Sequence, residues 1–426
     1  MERTARSIAA ELLLRCGSAE QYSNIVLDTA IKRSELSDAD RSLLTALVYG
    51  VIERQITLDY QISLLTDRAE DEITPVVRTL LRLGIYQLSF MDRIPMHAAV
   101  NETVGLAPRR AKGFVNAVLR AFCRGGMKLA YPERSEGEMR YLSVRYSFDE
   151  RICERFVRAF GAERAETLLE SFSHNPPLTL RVNTLKISRE ALLSALCEQG
   201  YDAVPTEESR TGIVIRGGAS VRALPGFEEG WFFVQDEASQ LCVEALEIKE
   251  GMTALDVCAC PGSKSFGMAI EMNNRGEVHS CDLHQNKLSL VQSGAERLGI
   301  SILDTFARDA REINEEWIQK ADCVLCDVPC SGFGVFAKKP ELRYKDPSRS
   351  DALPAIQSAI LNTSAQYVRE GGRLVYSTCT LLPRENEQNV AAFLAKNPAF
   401  TLVRMRTLTP DTDHTDGFFF AVMERT

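Results

Sequence analysis

The chain has 426 residues, 45% of them apolar, and this length predicts two or three domains with sizeable hydrophobic cores. No apolar run approaches the about 18 residues of a membrane span, and residues 1–15 lack the apolar core of a secretory signal. We therefore expect a cytoplasmic protein with no membrane partner and with reduced thiols at its twelve cysteines. The net charge of −8 argues against indiscriminate nucleic-acid binding.

Residues 1–125 are predicted to be helical. Apolar residues recur at helical spacing in four segments, 8–14, 43–52, 76–88 and 114–122. Asp40 is placed to cap a helix that begins near Arg41, and Pro95 breaks the chain between two helices. A small helical bundle is the economical interpretation of this region.

A basic stretch lies at the end of the helical region. Between Arg109 and Pro132 there is no acidic residue, and six basic residues occur: Arg109, Arg110, Lys112, Arg120, Arg124 and Lys128. Because Lys and Arg neutralise phosphates whatever the total charge of the protein, this local basic face suits a selective polyanionic partner. Taken alone, the stretch is equally well explained as a solvated helix face.

Two further regions follow a loop-like stretch around 125–138. The first mixes helices with strands, at 150–160, 163–172, 178–183, 189–199 and 212–215, and predicts a compact α+β module. From about residue 233 strands and helices alternate to the end of the chain. The predicted strands are 254–258, 278–282, one near 303, 323–327 and 373–377. One predicted helix begins at 264, and two others cover 285–298 and 354–369. With a closing hairpin signal at 402–405 and 417–423, this alternation predicts a mostly parallel, doubly wound sheet.

The loop from Cys258 to Lys264 follows a strand and opens a helix. Gly262 lets the backbone approach a ligand, and the helix N-terminus offers N–H groups to a carboxylate or phosphate. The next strand ends in Asp282, which is placed to accept hydrogen bonds from ribose hydroxyls, and Asp309 follows a third strand within reach of an adenine edge. A cap or turn residue is the alternative for any one acid, but acids at successive strand ends indicate a nucleotide-type cofactor.

Two cysteines lie beside the ends of later strands. Cys330 follows Asp327-Val-Pro on a loop that proline constrains, and Cys379 lies just past a strand that ends in Tyr-Ser-Thr. A lone cysteine there is more often a small buried hydrophobe. Two of them, beside an acid and a nucleotide loop, favour catalysis at the strand ends where open α/β sheets build their sites. Cytosine C5 becomes nucleophilic enough to take a methyl group only after a thiolate has added at C6.

The remaining short cysteine spacings raise the question of a metal. Cys258-x-Cys260 and Cys323-x-x-Cys326 are spaced as zinc ligands can be. Both pairs fall inside apolar, strand-like segments rather than knuckle turns, so no metal site is expected.

Longer motifs occur throughout the chain. The helical region contains Asp40-Arg-Ser-Leu-Leu-Thr-Ala-Leu-Val-Tyr-Gly50, Leu81-Arg-Leu-Gly-Ile-Tyr-Gln87, Ala99-Val-Asn-Glu102 and Gly113-Phe-Val-Asn-Ala-Val-Leu-Arg120, which resemble NusB. The later regions contain Leu180-Arg-Val-Asn-Thr184 and Val234-Gln-Asp-Glu-Ala-Ser239. Together the motifs resemble the bacterial 16S ribosomal RNA cytosine-C5 methyltransferases of the RsmB (Sun/Fmu) type. The resemblance implies a NusB-like helical RNA-binding domain at 1–128, an α+β RNA-contact module at 140–232 and a class I, Rossmann-like S-adenosylmethionine-dependent methyltransferase domain at 233–426.

The same resemblance implies roles for the site residues. Asp282 would lie on the ribose of S-adenosyl-L-methionine, Asp309 near the adenine and Asp327 between cofactor and base, with the rest of the cofactor on Cys258, Ala259, Cys260, Pro261, Gly262, Ser263 and Lys264. In this family a Thr-Cys element attacks the ring, so Cys379 would be the nucleophile and Cys330 would help to resolve the adduct. Spacing alone leaves the choice between the two cysteines open, because DNA cytosine methyltransferases use a Pro-Cys.

The implied substrate is 16S ribosomal RNA, methylated by a monomer at one loop cytosine, position 967 in the usual ribosomal numbering, on free RNA before 30S assembly. The residues alone leave two alternatives open: cytosine-C5 methylation of another ribosomal RNA site, of transfer RNA or of DNA, and a non-catalytic NusB-like RNA-binding factor.

Three segments depart from the family pattern. Pro-Gly-Gly-Lys-Thr becomes Pro261-Gly-Ser-Lys-Ser265, with backbone strain expected at Ser263 if that position requires positive φ. Arg-His-Pro-Asp-Ile-Lys-Trp becomes Lys338-Lys-Pro-Glu-Leu-Arg-Tyr344, for which we expect a retained RNA-contact role because charge and one aromatic ring persist. Ser147-Phe-Asp-Glu-Arg151 replaces a typical Pro and Trp at the junction of two domains.

Overall fold

The computed structural model describes residues 4–18, 23–174, 177–217 and 219–426. The chain divides into two compact units. The helical unit comprises Met1–His174 with Phe336–Pro347, and the sheet unit comprises Asn175–Val335 with Ser348–Thr426. Across these described ranges, no helix combines the length and the apolar character that crossing a membrane requires.

In its described part, the helical unit contains ten α-helices, and residues of the first seven form one hydrophobic core. The four segments predicted from apolar spacing fall in the helices Ala5–Ser18, Asp38–Glu53, Pro75–Phe90 and Lys112–Arg124, and the expectation of a helical bundle is confirmed. The core includes Leu12, Leu47, Leu81 and Leu119, each at most 2% exposed. The helices are α1 (Ala5–Ser18), α2 (Ser23–Lys32), α3 (Asp38–Glu53), α4 (Gln55–Leu65), α5 (Pro75–Phe90), α6 (Met96–Leu106), α7 (Lys112–Arg124), α8 (Glu138–Tyr146), α9 (Glu150–Phe160) and α10 (Ala162–Ser171).

The start of α3 differs from the prediction. Ser37 is the N-cap, and its Oγ accepts a hydrogen bond from the backbone N–H of Asp40 at 3.2 Å. The expected cap at Asp40 is therefore wrong by one helical turn. Asp40 already lies within the helix, where its carboxylate accepts a hydrogen bond from the Ser37 hydroxyl at 2.7 Å.

The segment Phe336–Pro347 belongs to the helical unit although it follows the Cys330 motif in the sequence. Its Arg343 is fully buried and lies 4.5 Å from the centre of the Phe148 ring. The guanidinium donates to the carbonyl oxygens of Tyr146 at 3.0 Å and Phe172 at 2.6 Å. Arg343 thus satisfies buried carbonyls at the C-terminal ends of two helical segments and fixes Phe336–Pro347 in place.

Tyr344 reinforces this attachment. Its hydroxyl lies 2.9 Å from Ser147 Oγ, accepts from the Gln55 backbone N–H at 3.0 Å and donates to the carbonyl of Glu53 at 3.0 Å. The RNA-contact role expected from the persisting charge and aromatic ring is therefore wrong for Arg343 and Tyr344. Their polar groups are committed to the backbone and side chains of the helical unit.

A four-stranded antiparallel sheet forms the first part of the sheet unit. Its strands are β1 (Leu178–Val182), β2 (Ala203–Pro205), β3 (Gly212–Ile215) and β4 (Phe232–Val234), in the order β2-β3-β1-β4, with α11 (Arg189–Glu198) packed against them. The expectation of an α+β module is confirmed. The three-residue strands β2 and β4 were not predicted, because so short a segment shows no measurable alternation. The domain boundaries proposed from the sequence stay predictions.

A seven-stranded sheet forms the rest of the sheet unit, in the order β10-β11-β9-β8-β5-β6-β7. The five strands from β9 to β7 are parallel, and β10 and β11 form an antiparallel hairpin, as predicted. In chain order the elements are α12 (Glu237–Glu244), β5 (Thr253–Asp256), α13 (Ser263–Glu271), β6 (Glu277–Asp282), α14 (Gln285–Leu298), β7 (Leu303–Ala307), β8 (Ala321–Asp327), α15 (Leu353–Ala365), β9 (Val368–Thr378), α16 (Glu387–Lys396), β10 (Phe400–Leu408) and β11 (Phe418–Arg425).

The layers of this sheet confirm the doubly wound α/β class. Residues of α12, α13 and α14 form a core on one face, and residues of α15 and α16 form a second core on the other. The helix predicted at 354–369 ends earlier, at Ala365, because the chain enters β9 at Val368. The strand order reverses between β5 and β8, and the carboxyl ends of strands at such a reversal form the crevice in which α/β sheets bind ligands.

Replacing Arg343 with alanine is expected to lower the free energy of unfolding by about 3 kcal/mol, because it removes two hydrogen bonds to buried carbonyls and leaves a cavity beside Phe148. Urea unfolding followed by helical circular dichroism measures this loss. The control Arg124→Ala removes an exposed arginine from α7 and should change the free energy by less than about 0.5 kcal/mol. Equal losses in the two variants would contradict the attachment assigned to Arg343.

Candidate active site

The register of β8 with β9 brings the two predicted cysteines together. Parallel pairing sets Asp327 opposite Ser377 at the carboxyl end of both strands. Cys330 lies three residues beyond Asp327, and Cys379 lies two residues beyond Ser377. The two chain segments therefore leave the sheet side by side, and their Sγ atoms are 3.2 Å apart.

The two thiols are reduced and hydrogen-bonded to each other, since their separation is well beyond the about 2.05 Å of a disulfide. The hydrogen bond with Cys379, burial and the nearby charge of Glu385 raise the pKa of Cys330 well above its usual value. Cys330 therefore retains its proton at neutral pH. A protonated Cys330 thiol is a hydrogen-bond donor that stabilises a thiolate on Cys379.

Asp327 is held by two side chains. Lys264 Nζ donates to Oδ2 at 2.7 Å, and Ser377 Oγ donates to Oδ1 at 2.8 Å. Burial is the largest influence on Lys264 and lowers its pKa, but the charge of Asp327 and its hydrogen bond, together with nearby Cys242 and Asp256, raise the pKa overall, so the buried amine remains an ammonium. The structure thus pairs Lys264, which the sequence analysis assigned to the cofactor, with Asp327, which it placed between cofactor and base as a catalytic and cofactor-binding residue.

Asp256 is a buried acid to which the sequence analysis assigned no role. It ends β5, and its Oδ2 accepts from Ser265 Oγ at 2.7 Å. Its Oδ1 is buried and has no hydrogen-bond partner within the described ranges. Burial raises the pKa of Asp256 to about 7, although the hydrogen bond from Ser265 opposes this shift. The sequence signal for the contact between Asp256 and Ser265 was an acid at the end of a strand followed by a serine in the next helix.

The loop between β5 and α13 turns sharply at Gly262. The residue has a φ of 110°, and its N–H donates to the carbonyl of Ala259 at 2.7 Å. A Cβ there would lie 2.6 Å from the Phe266 ring, so glycine is required both for the backbone conformation and for the space. Ser263 is the first residue of α13 and is not among the residues with positive φ, so the condition for strain at Ser263 is not met.

The two acids assigned to the nucleoside lie at the same edge of the sheet. Asp282 ends β6, and its Oδ1 accepts from the His284 N–H at 2.9 Å. Burial, together with the charge of Asp282, raises the pKa of Cys260 to about 12, so this thiol is neutral. Asp309 lies beyond β7, where hydrogen bonds from Arg311 lower its pKa to about 2.

Two glycines allow the backbone around Cys379 to pack closely. Gly334 N–H donates to the Cys379 carbonyl at 3.0 Å, and Gly417 N–H donates to the Gly334 carbonyl at 2.8 Å. A Cβ on Gly334 would lie 1.9 Å from the Gly417 carbonyl oxygen. The sequence analysis did not identify this arrangement, because it joins three loops that are remote from one another in the sequence.

Comparison with known proteins identifies the family. The model for the 16S rRNA methyltransferase RsmB/F matches residues 243–424, the NusB family model matches residues 3–124, and the ferredoxin-like domain model of RsmF/B-like methyltransferases matches residues 149–222. The chain is 38% identical over 407 residues to a probable ribosomal RNA small subunit methyltransferase B of Bacillus subtilis, covering 94% of this chain and 90% of the relative. The chain belongs to the RsmB/F methyltransferase family.

Further similarities extend along the whole length of this RsmB/F methyltransferase. It is 34% identical over 430 residues to the ribosomal RNA small subunit methyltransferase B of Klebsiella pneumoniae, covering 98% of this chain and 97% of the relative. The crystal structure of a protein titled PH0851 matches all of both chains with a TM-score of 0.81 and 26% identity. A methyltransferase homolog protein from Pyrococcus horikoshii matches 68% of this chain and 99% of its own, with a TM-score of 0.61 and 26% identity.

Gly334→Ala is expected to reduce methyl transfer by about a hundredfold or more, because displacing the Cys379 loop by about 1 Å disrupts the alignment of reacting groups. Labelled methyl transfer to an unmodified small-subunit RNA transcript measures the effect. Gly105→Ala on α6 is the matched control, since a Cβ at Gly105 meets no atom within 4 Å. Full activity in Gly334→Ala would show that the close backbone packing is not needed for the reaction.

Proposed function

We propose that this RsmB/F methyltransferase transfers a methyl group from S-adenosyl-L-methionine to C5 of a cytosine in 16S ribosomal RNA, through a covalent bond between Cys379 and C6. The observation that carries the proposal is the pair of thiols 3.2 Å apart, on the loops that follow Asp327 and Ser377. Methyl transfer to a nucleophilic ring nitrogen or ribose oxygen needs no cysteine. A thiol pair beyond the carboxyl ends of β8 and β9 therefore favours carbon methylation.

The polar groups at this edge suit S-adenosyl-L-methionine. The Asp282 carboxylate accepts hydrogen bonds, as ribose hydroxyls require, and Asp309 follows the neighbouring strand β7, where an adenine edge would lie. The loop 258–264 leads into the N-terminus of α13, whose N–H groups suit the carboxylate of the methionine part. When bound, the cofactor supplies an electrophilic methyl group.

The first chemical step is assigned to Cys379. Its thiolate donates an electron pair to C6, and the electrons of the C5–C6 double bond move into the ring. Asp327, whose carboxylate accepts from Lys264 and Ser377, is proposed to orient the base by accepting a hydrogen bond from the N4 amino group next to N3. The ammonium of Lys264, 2.7 Å from Asp327, is a fixed positive charge that stabilises the negative charge developing on the ring.

The last step is assigned to Cys330. After C5 has taken the methyl group, loss of the C5 proton to a base and departure of the Cys379 sulfur from C6 restore the double bond. The raised pKa of Cys330 keeps its thiol protonated beside Cys379. In that state it donates a hydrogen bond to the departing sulfur and so assists release of the product.

Cys379→Ala is expected to abolish both methyl transfer and formation of a covalent RNA–protein complex, whereas Cys330→Ala should accumulate that complex because release is impaired. Denaturing electrophoresis and labelled methyl transfer measure the two quantities. Cys197→Ala, which alters an exposed cysteine, should behave like the unchanged protein. Accumulation of the covalent RNA–protein complex by Cys379→Ala would reverse the roles of the two cysteines. If the unchanged enzyme binds the cofactor but transfers no methyl group, an RNA-binding factor without catalysis is favoured.

Structured RNA is the proposed substrate. All six basic side chains of the Arg109–Lys128 stretch are exposed, while Val115, Leu119 and Phe122 of α7 are buried in the core. This amphipathic arrangement leaves the cations of α7 available to phosphates. A cytosine must leave its stack to reach the cysteines, which costs a few kcal/mol in a duplex and favours a loop.

The proposed target is the cytosine at position 967, methylated by the monomer on free RNA before 30S assembly. Bisulfite sequencing of ribosomal RNA from a deletion strain is expected to show loss of methylation at this position alone. A plasmid copy should restore the mark, and a copy with Cys379→Ala should not. Persistence of that mark while another position loses its own would show that the target is wrong even if the chemistry is correct.

A further inference from the structure

Glu385 is a fully buried acid whose side chain contacts the Cys330 loop. Its Oε2 accepts from the backbone N–H of Ser331 at 2.9 Å and from Gln357 Nε2 at 2.9 Å. The same Gln357 amide donates to the carbonyl of Pro329 at 3.0 Å. The residues on both sides of Cys330 are therefore fixed, one by Glu385 directly and one through Gln357.

Asn386 makes the corresponding contacts on the Cys379 loop and is also fully buried. Its Oδ1 accepts from Thr378 Oγ1 at 2.6 Å, and its Nδ2 donates to the Thr380 carbonyl at 2.8 Å. Thr378 and Thr380 flank Cys379. Two consecutive residues of one turn thus hold the chain on both sides of the two thiols.

Further hydrogen bonds fix the turn that contains Glu385 and Asn386 to the sheet. Another joins the Cys330 loop to the Cys379 loop. Tyr376 of β9 donates its hydroxyl to the Glu385 carbonyl at 2.6 Å, and Ser331 Oγ donates to Thr380 Oγ1 at 2.8 Å. Glu385 Oε1 is buried without a hydrogen-bond partner in the part of the chain that the structure describes. Burying a carboxyl group with an unsatisfied oxygen costs stability, so stability does not explain why this acid is present.

We propose that Glu385 and Asn386 are positioning residues for the methyl-transfer reaction, Glu385 holding Cys330 for product release and Asn386 holding Cys379 for attack on C6. The inference rests on the proposed function, since it assigns each residue to one step of the covalent mechanism. The negative charge of Glu385 also raises the pKa of Cys330, which supports its pairing with the thiol that stays protonated.

The two residues are expected to affect different steps. Asn386→Ala should slow formation of the covalent complex by about a hundredfold, because the nucleophile is no longer aligned. Glu385→Ala should leave formation within about threefold of normal but slow release about tenfold, so that the complex accumulates as in Cys330→Ala. Single-turnover mixing of the full-length enzyme, cofactor and an unmodified small-subunit RNA transcript measures complex formation and released methylated RNA separately.

Conservative variants separate positioning from folding. Glu385→Gln keeps an acceptor for the Ser331 N–H but removes the charge, so the pH profile of release should shift to lower pH while complex formation stays normal. Glu387→Ala is the matched control, because this neighbouring acid accepts a hydrogen bond from Thr407 at 2.9 Å and, within the described ranges, has no hydrogen bond to either cysteine loop. Circular dichroism and the unfolding temperature confirm that each variant is folded.

Equal slowing of both steps in Glu385→Ala and Asn386→Ala, or the same behaviour in Glu387→Ala, would overturn the proposal and leave a general structural role. Failure of the proposed function gives a different result, in which Cys330→Ala forms no covalent complex at all. That result would overturn the positioning proposal together with the covalent mechanism, whereas equal slowing of both steps with a trapped complex in Cys330→Ala would overturn the positioning proposal alone.

Discussion

The pairing of β8 with β9 in parallel register is the constraint on which the site depends. Asp327 and Ser377 face each other at the last pair of this ladder, and a hydrogen bond of 2.8 Å joins their side chains. A slip of one residue would turn the side chains of one strand to the opposite face of the sheet and separate the two thiols. Glu385, which accepts from the Ser331 N–H, and Asn386, which donates to the Thr380 carbonyl, then fix the loops that this register brings together.

Buried charge is the second feature of the site. Lys264, Asp256 and Glu385 are each at most 8% exposed. Removing such groups from water is costly, and a buried ion pair such as Lys264 with Asp327 often contributes little net stability. Their clustering at the carboxyl ends of the parallel strands is better explained by chemistry, which requires fixed charges that do not reorganise as the reaction proceeds.

The chain path links this site to the helical unit. Gly334 packs against the backbone of Cys379, and two residues later the chain enters the segment Phe336–Pro347, which Arg343 and Tyr344 fix in the helical unit. The chain therefore passes between the units three times, after His174, Val335 and Pro347. Arg343 and Tyr344, which resembled RNA contacts in the sequence, thus act as a structural attachment, because their polar groups form hydrogen bonds within the helical unit.

Local signals in the sequence determined the types of elements and the fold class. The predicted bounds of α9, α14 and β3 agree with the structure, since apolar periodicity records which side of each element is buried. The strand-end positions of Asp282, Asp327 and the cysteines were likewise evident, because a polar residue after an apolar run marks the end of a buried strand.

Only the tertiary structure decided which of these residues meet. The two thiols are 49 residues apart in the chain, and Lys264 is 63 residues from Asp327. The positioning pair Glu385 and Asn386, the attachment of Arg343 and the close approach of Gly334 to Gly417 depend on contacts of the same non-local kind. Periodicity describes the face that one segment buries, whereas register and loop contacts depend on the partner that the segment finds, and a single segment of sequence carries no information on that partner.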